Sequence, residues 1–230
     1  MAGSLADTPI PGGWTERSVT VAGRVWQLLL PADPDEFLQE LPEPDTTAPL
    51  FRAQPYWAQL WSAALPLAEL VARRSRPAAF PVLELGCGIG LAGLVACGQG
   101  DAVTFSDLVP EAVELALENA RRNGCAERAT GRVIDWCQPP AERFPWIIAS
   151  DVLYDPALHA PLTRAIEQLL EPAGEAWIAD PGRCSIPDFA LRWHRPGWSA
   201  GWYDELSQPL VQPTAGRFRW LRIRAASEPA

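Results

Sequence analysis

Lysine is absent from this chain, and all 19 of its basic residues are arginine. Together with abundant alanine and 24 prolines, this use of arginine is typical of a protein encoded by a GC-rich bacterial genome. Long apolar runs are also missing, so no segment predicts a membrane-spanning helix. The N-terminal residues have neither a basic start nor a long apolar stretch, which argues against a secretory signal peptide. We therefore expect a cytoplasmic bacterial protein that makes no contact with a membrane.

The chain also lacks the cysteine and histidine spacings of a metal site. Its five cysteines are scattered, form no CxxC pair and are odd in number. This pattern argues against a disulfide framework and against zinc, so we expect no metal. Cys87 lies in a glycine-rich segment. We attribute its presence there to its small side chain and not to a role as a catalytic thiol. The two histidines, His159 and His194, fall on predicted helices, and we interpret them as surface or capping residues and not as bases.

The charge balance is strongly acidic, with a formal net charge of −9 and an isoelectric point of about 4.8. A nucleic-acid partner is disfavoured because phosphate binding normally needs a basic patch. A basic or neutral partner suits this charge better. The length of 230 residues, with 48% hydrophobic and 20% charged residues, predicts one soluble domain with a sizeable core.

From Pro81 onward, strand-like and helix-like segments alternate along the chain. The predicted strands are Pro81–Leu85, Ala102–Ser106, Thr130–Ile134, Trp146–Ser150 and Glu175–Ala179. The predicted helices are Leu91–Gly98, Val109–Asn123, Pro156–Leu170 and Pro187–His194. This alternation predicts a Rossmann-like α/β fold, with a mostly parallel sheet and helices on both faces. Two further strand-like segments, Trp198–Asp204 and Arg217–Arg224, predict an antiparallel C-terminal pair and bring the sheet to seven strands.

The N-terminal part has a different character. Val19–Leu30 predicts a short hairpin, and Pro31–Pro49 is a proline- and aspartate-rich linker around one helical turn at Glu36–Leu41. Apolar residues then recur at helical spacing from Tyr56 to Arg74. We therefore divide the chain into an extension, residues 1–48, and a main domain, residues 49–230.

The most informative motif is Val82–Gly90, an apolar strand that ends in Glu84 and Leu85 and is followed by three alternating glycines. A helix-compatible segment follows, so these residues predict a buried strand, a tight turn and a helix N-terminus whose N–H groups face a ligand. The turn, with Gly86, Gly88 and Gly90, resembles the cofactor loop of class I S-adenosylmethionine (SAM) methyltransferases. The carboxylate of Glu84 suits the cationic groups of that ligand.

Two alternatives to a SAM loop remain at this stage. Gly88–Gly93 also spells the G-x-G-x-x-G pattern of dinucleotide-binding proteins. In that fold the first glycine directly follows the strand, whereas here the strand ends near Leu85, and Glu84 would repel a pyrophosphate. The second alternative is a glycine-rich turn that binds no ligand.

Polar side chains also follow the next two strands. Asp107-Leu108 follows the second strand, where a carboxylate can accept hydrogen bonds from both ribose hydroxyls. The alternative for Asp107 is to cap the next helix, and both roles are compatible. Asp135-Trp136 follows the third strand, where the carboxylate can bind the adenine amine and the indole can cover the ring. The alternative is a turn aspartate beside a core tryptophan.

Ser150, Asp151 and Tyr154 follow the fourth strand. Open α/β sheets bind ligands beyond the carboxyl ends of their strands, so Asp151 and Tyr154 should border the reacting group. We assign Ser150 to the cofactor side of this site. The alternative is a capped helix start before Pro156.

In their order, these motifs resemble the family-16 seven-β-strand methyltransferases, many of which methylate protein lysines. The matching segments lie between about Pro55 and Arg183 and read PYWAQLWSAALPLAEL, LELGCGIG, FSDLVPEAVELALENARRN, IDW, ASDVLYD and ADPGR. The D-x-x-Y at Asp151–Tyr154 matches the signature after strand four, which implies catalytic roles for both residues. Trp61 matches a cofactor-contacting tryptophan, for which Trp57 competes; we assign Trp57 to the substrate side.

Arg183 ends a D-P-G-R segment that resembles the electron-transfer-flavoprotein β-subunit lysine methyltransferases and their bacterial relatives. We expect Arg183 to bind a carboxylate or backbone carbonyls of an incoming chain. The alternative is a salt bridge to a nearby acid.

The resemblance implies a SAM-dependent N-methyltransferase that modifies a protein lysine, with electron-transfer flavoprotein as one candidate partner. The absence of lysine would then also spare the enzyme from modifying itself. Two other functions remain open: a methyltransferase acting on the nitrogen or oxygen of a small molecule, such as a small amine, and a SAM-binding module without activity.

Overall fold

The computed structural model describes residue 5 and residues 9–10, 12–33, 56–183 and 187–227. The helical turn predicted at Glu36–Leu41, the boundary after residue 48 and Cys184 lie outside these residues. In the part that is described, no helix is both long and apolar enough to cross a membrane.

In the described part of the chain, ten strands form a hairpin and one large sheet. The hairpin is β1 (Trp14–Val21) and β2 (Arg24–Pro31), paired antiparallel. The sheet contains β3 (Pro81–Leu85), β4 (Ala102–Asp107), β5 (Ala129–Val133), β6 (Phe144–Ser150), β7 (Leu170–Asp180), β8 (Trp198–Tyr203), β9 (Pro209–Leu210) and β10 (Arg219–Ala225). Its order is β5-β4-β3-β6-β7-β10-β8-β9.

The strand pairing confirms the predicted Rossmann-like fold. Strands β3 to β7 run parallel, whereas β10 pairs antiparallel with both β7 and β8. The sheet has one strand more than predicted, the two-residue β9, which pairs with β8. Two residues are too short for an alternating pattern to be recognised in a sequence, so β9 is identified only by its pairing with β8.

Among the residues that the structure describes, five α-helices connect the strands: α1 (Ala64–Arg73), α2 (Leu91–Gly98), α3 (Pro110–Arg122), α4 (His159–Leu169) and α5 (Pro187–Leu191). The helix predicted from Tyr56 begins only at Ala64, after a separate 3-10 turn at Tyr56–Ala58. The indole of Trp61 donates to the Tyr56 carbonyl at 2.6 Å, a group that a continuous helix would use itself. Helix α5 also stops earlier than predicted, because the next residues form shorter i→i+3 bonds.

Alternate strand residues bury the two faces of the sheet in two apolar clusters. On β3, Val82 belongs to one cluster, whereas Leu83 and Leu85 belong to the other. Helices α1, α2 and α3 contribute to the first cluster, and α4 and α5 to the second. The sheet is therefore covered by helices on both faces, which leaves the loops after its parallel strands to form a site.

The N-terminal hairpin packs on the helices of the first cluster. Trp26 of β2 is buried and lies against Gly98, where an added Cβ would collide with the indole. Asn119 of α3 and Asn123, the C-cap of that helix, bind the backbone of β2 through their side-chain amides. An isolated two-stranded hairpin is marginally stable in water, so these contacts hold the hairpin in place.

Gly90 ends the glycine-rich loop under two constraints, and its substitution by alanine tests them. It has a φ of 79°, and an added Cβ would lie 2.8 Å from the Ala116 Cβ and 3.0 Å from the Phe105 ring. Gly124 has a similar φ of 72° with nothing within 4 Å. We expect Gly124→Ala to lower the free energy of unfolding by about 1–2 kcal/mol, from backbone strain alone. Gly90→Ala should lose about 1–3 kcal/mol more through overpacking.

Denaturant unfolding of both variants measures this difference. Equal losses would mean that the backbone angle, and not the close packing, requires glycine at position 90.

Candidate active site

The glycine-rich loop forms the floor of a cleft at the carboxyl ends of the parallel strands. Gly86, Gly88 and Gly90 all have positive φ, at 61°, 50° and 79°. A Cβ on Gly86 would approach Val152 to 2.9 Å, and one on Gly88 would lie 3.1 Å from the carbonyl oxygen of Trp57. Glycine therefore lets the surrounding chain close on the loop. Gly90 is the N-cap of α2, so the free N–H groups of that helix adjoin the loop.

Glu84 lies buried beneath this loop. Its Oε2 accepts a hydrogen bond of 3.0 Å from the Gly93 N–H in the first turn of α2, and its side chain is 2% exposed. Burial raises its pKa to about 8, and the charge of Asp107 acts in the same direction. At neutral pH this carboxyl group is therefore mostly protonated until a positive charge approaches.

Asp107 joins the loop to the end of β4. Its Oδ2 accepts from the Gly88 N–H at 3.1 Å, and its Oδ1 accepts from the Val109 N–H at 3.1 Å. Asp107 thus lies two residues before the N-cap of α3, which is Val109, and is not itself that cap. Each carboxylate oxygen keeps further acceptor capacity for the cleft. Burial raises the pKa of Asp107.

Asp135 and Trp136 form the side of the cleft beyond β5. The Trp136 ring lies 3.4 Å from the position of a Cβ on Gly86, so the indole covers the loop. Asp135 accepts from the Cys137 N–H at 2.8 Å and shapes the turn that presents the indole. Asp135 thus makes the alternative turn contact and also lines the cleft, and its contact with the adenine stays a prediction.

Aromatic side chains surround the mouth of the cleft. Tyr56 makes edge contacts with Tyr154 and Trp61, with ring centroids 5.6 Å and 6.0 Å apart. Burial raises the pKa of Tyr154 to about 12, followed by the charge of Asp107. Its phenol therefore stays protonated at neutral pH. Trp57 packs its backbone against Gly88, so Trp57 and Trp61 both line the cleft.

Asp151 is 5% exposed and has a φ of 61°, unusual for a residue with a side chain. Its Oδ2 accepts from the Ala63 N–H at 2.8 Å, and its Oδ1 accepts from Arg183 Nη2 at 2.7 Å. Burial raises its pKa, although the Ala63 N–H and the Arg183 charge favour the ionised form. The carboxyl group is thus held by the segment after β7 on one side and by the segment before α1 on the other.

The structure shows for Arg183 the salt bridge that sequence analysis weighed as the alternative to substrate binding. Its guanidinium bridges Asp151 and the fully buried Asp180, at 2.7 Å and 2.9 Å. Its backbone carbonyl accepts from Arg219, and it does not line the cleft. Substrate binding by Arg183 stays a prediction, and the observed geometry favours a role through Asp151.

The cleft comprises about 1030 Å³ of space between atoms, part of it open to solvent. Except for Gly90 and Arg183, all the site residues predicted from sequence line it: Trp57, Trp61, Glu84, Gly86, Gly88, Asp107, Leu108, Asp135, Trp136, Ser150, Asp151 and Tyr154. Sequence analysis missed apolar and aromatic lining residues, among them Tyr56, Ile134, Val152 and Leu158. The sequence feature that could have identified Tyr56 as a lining residue is its position next to Trp57. The other three are ordinary core residue types, so only the fold places them here.

His159 is not a surface residue as sequence analysis expected. It is 4% exposed, lies in edge contact with Phe189, and has Nε2 3.1 Å from the Leu153 carbonyl oxygen. It begins helix α4 and does not line the cleft. His194 is exposed as expected.

The cleft fits SAM on its own geometry. Positive-φ glycines let the chain close over the loop, a carboxylate ends β4, an indole covers the loop, and a buried carboxyl group lies below it. A pyrophosphate would disfavour ionisation of Glu84, and the Asp107 carboxylate would repel it, which argues against the dinucleotide alternative. The fold and this cleft together define a class I SAM-dependent methyltransferase.

Comparison with known proteins agrees with this class. The family model described as lysine methyltransferase, methyltransferase family 16, matches residues 55–183. Because this match covers more than half of the 230 residues, the chain belongs to that lysine methyltransferase family.

Individual relatives differ in what they methylate. The chain is similar to a calmodulin-lysine N-methyltransferase of Arabidopsis thaliana, with 34% identity over 44% of this chain and 37% of the relative. It is also similar to a ubiquinone biosynthesis O-methyltransferase of Xanthomonas axonopodis pv. citri, with 29% identity over 50% and 48%. The matches thus span less than half the length of either relative.

A solved structure shares the fold at low sequence identity. The TehB-like SAM-dependent methyltransferase of Corynebacterium glutamicum has a TM-score of 0.57 and 22% identity. The similarity covers 70% of this chain and 87% of that one. It shows that the sheet and its helices are arranged as in a class I methyltransferase.

The raised pKa of Glu84 predicts that SAM binding releases protons. A bound cation favours the carboxylate, so a group that is mostly protonated at pH 7 should ionise on binding. We expect Glu84→Gln, which keeps an oxygen for the Gly93 N–H, to release measurably fewer protons. Calorimetry at pH 7 in buffers of different ionisation enthalpy measures the difference, which should shrink well above pH 8. Equal proton release by both proteins would show that Glu84 does not sense the ligand.

Proposed function

We propose that this protein is a SAM-dependent N-methyltransferase whose acceptor is a lysine side chain of another protein. The observation that carries the proposal is the position of Asp151 and Tyr154, which line the same cleft as the glycine-rich loop. Membership of the lysine methyltransferase family supports the choice of acceptor. We also propose that the protein works in the cytoplasm, with residues 1–48 as an extension of a catalytic domain at residues 49–230.

The cofactor would be held by residues of the loop and of the next two strand ends. When bound, SAM supplies an electrophilic methyl group. The backbone of Gly86 and Gly88 would approach the ligand closely, and Asp107 would accept the ribose hydroxyls. Asp135 and Trp136 would contact the adenine, with Trp61, Leu108 and Ser150 completing the wall. Glu84 would face the positive charge of the ligand from below.

The amine acceptor must lose its proton before it can attack the methyl group. Deprotonating a lysine of pKa near 10.4 at pH 7 costs about 4.6 kcal/mol, at about 1.36 kcal/mol per unit. Tyr154 does not act as the base, because its own pKa is about 12. The aromatic side chains at the mouth instead remove water from the amine, and desolvation favours its neutral form.

Asp151 is placed to orient the amine without trapping it as a cation. A lone carboxylate beside an ammonium would stabilise the charge and oppose deprotonation. Arg183 offsets this effect, since its guanidinium lies 2.7 Å from Asp151 Oδ1. The remaining acceptor capacity of Asp151 can take an N–H bond from the neutral amine. Asp151 and Tyr154 are thus the proposed catalytic pair.

The particular partner is not indicated by these contacts. Electron-transfer flavoprotein draws no support from the relatives, so we propose only a neutral or basic protein with an accessible lysine. The O-methyltransferase relative makes a small-molecule acceptor the alternative outcome of the test below.

The decisive experiment incubates the purified chain with methyl-labelled SAM and a cell lysate, then separates proteins from small molecules. Label on lysine of a protein band supports the proposal, and label confined to the small-molecule fraction supports the alternative. We expect Asp107→Ala to bind SAM about ten- to a hundred-fold more weakly, from lost charge-assisted bonds. Asp204→Ala is the matched control, because Asp204 also accepts from two backbone N–H groups but lies outside the cleft. No binding of SAM by the wild-type chain, with binding of NAD, would exclude this function.

Replacement of Asp151 tests the division of labour in the site. Asp151→Asn should reduce turnover strongly and leave SAM affinity within a few-fold, because we place this side chain on the amine side. Asp155→Asn is the control, since Asp155 also accepts a backbone N–H at 2.8 Å but does not line the cleft. Arg183→Ala should lower kcat through Asp151 more than it raises the KM of the protein substrate. A loss of SAM binding in Asp151→Asn would instead assign Asp151 to the cofactor.

A further inference from the structure

The two asparagines of the chain are Asn119, in the last turn of α3, and Asn123, the C-cap of that helix, and they bind alternate residues of β2. Asn119 Oδ1 accepts from the Leu29 N–H at 2.7 Å, and its Nδ2 donates to the Leu29 carbonyl at 3.3 Å. Asn123 Oδ1 accepts from the Gln27 N–H at 3.0 Å, and its Nδ2 donates to the Gln27 carbonyl at 2.7 Å. Each side-chain amide thus pairs with the hairpin as a neighbouring strand would.

Asn119 makes one more contact, which Asn123 lacks. Its Nδ2 also donates to the Ile89 carbonyl at 3.0 Å. Ile89 stands between Gly88 and Gly90 in the glycine-rich loop and lines the cleft. Asn119 is fully buried, so these bonds compete with little water. One amide therefore connects the N-terminal hairpin to the cofactor loop.

The third side-chain bond of Asn123 is to the end of α3. Its Nδ2 donates to the Asn119 carbonyl at 2.8 Å. Asn123 thus binds the same strand through the same kind of amide pair, and its side chain bonds to β2 and to α3 and not to the loop. Comparison of the two asparagines therefore distinguishes the effect of docking the hairpin from the effect of contacting the loop.

We propose that the docked hairpin preorganises the cofactor loop, and that Asn119 is the positioning residue that transmits this effect. Glycine loses more conformational freedom on ordering than any other residue, so a loop with three glycines binds a ligand weakly unless it is held beforehand. Asn119 fixes the Ile89 carbonyl and hence the turn between Gly88 and Gly90. This inference rests on the SAM site described above.

Thermodynamic linkage makes the effect reciprocal. If the docked hairpin favours SAM binding, bound SAM must favour the docked hairpin by the same factor. The Leu29 N–H donates a hydrogen bond to Asn119 Oδ1. The hydrogen of this amide should therefore exchange with solvent more slowly when SAM is bound.

The test compares Asn119→Ala with Asn123→Ala in the full-length chain. Both variants lose one amide pair to β2, so both should melt at a lower temperature. We expect the SAM Kd of Asn119→Ala, measured by calorimetry well below its Tm, to rise about threefold to tenfold, as for one lost hydrogen bond. Asn123→Ala should stay within twofold of wild type. Hydrogen exchange of the wild-type chain should show the Leu29 amide slowed by SAM, a result that needs no variant.

Unchanged SAM affinity in Asn119→Ala, or an equal loss in both variants, would overturn the proposal. If Asn119→Ala fails to fold, the wild-type exchange experiment decides, and an unchanged rate at Leu29 overturns it. Failure of the wild-type chain to bind SAM would overturn the cofactor site itself, which is a different result.

Discussion

The close approach of the chain to the loop between β3 and α2 is the constraint on which the rest of the site depends. Gly86, Gly88 and Gly90 hold positive φ angles, and the space above them is filled by Val152, Trp57 and Ala116, respectively. Each contact comes from a different part of the chain. A side chain at any of the three positions would therefore disturb the cleft, and the loop would no longer lie at the end of the sheet where the ligand belongs.

Buried carboxyl groups define the electrostatics around that loop. Burial raises the pKa of Glu84, Asp107 and Asp151, so the cleft favours a ligand that brings positive charge. Arg183 modifies this pattern at one point, because it partly neutralises Asp151 on the side where an amine would approach. A cationic cofactor and a neutral nucleophile can then share one cleft. This division of charge follows from the placement of a single arginine.

The hairpin shows how a segment outside the main sheet can still contact the loop of the site. It shares the first apolar cluster with α1, α2 and α3, and its contacts with Asn119 lead directly to the Ile89 carbonyl. The same helix therefore packs the sheet, docks the hairpin and supports the loop. Stability and cofactor affinity are coupled through α3 because packing in a protein interior is close and transmits displacements.

The sequence by itself determined the alternation of strands and helices, the glycine-rich loop and the polar residues that follow β4, β5 and β6. These features are local: period, glycine content and the place of a carboxylate after an apolar run. The family resemblance then predicted the cofactor. Only the tertiary structure decided that Arg183 bridges Asp151 and Asp180, that the helix before β3 begins at Ala64, and that His159 is buried. Each of these depends on partners far away along the chain, and a side chain's partner is set by how the elements pack, which no short window of sequence encodes.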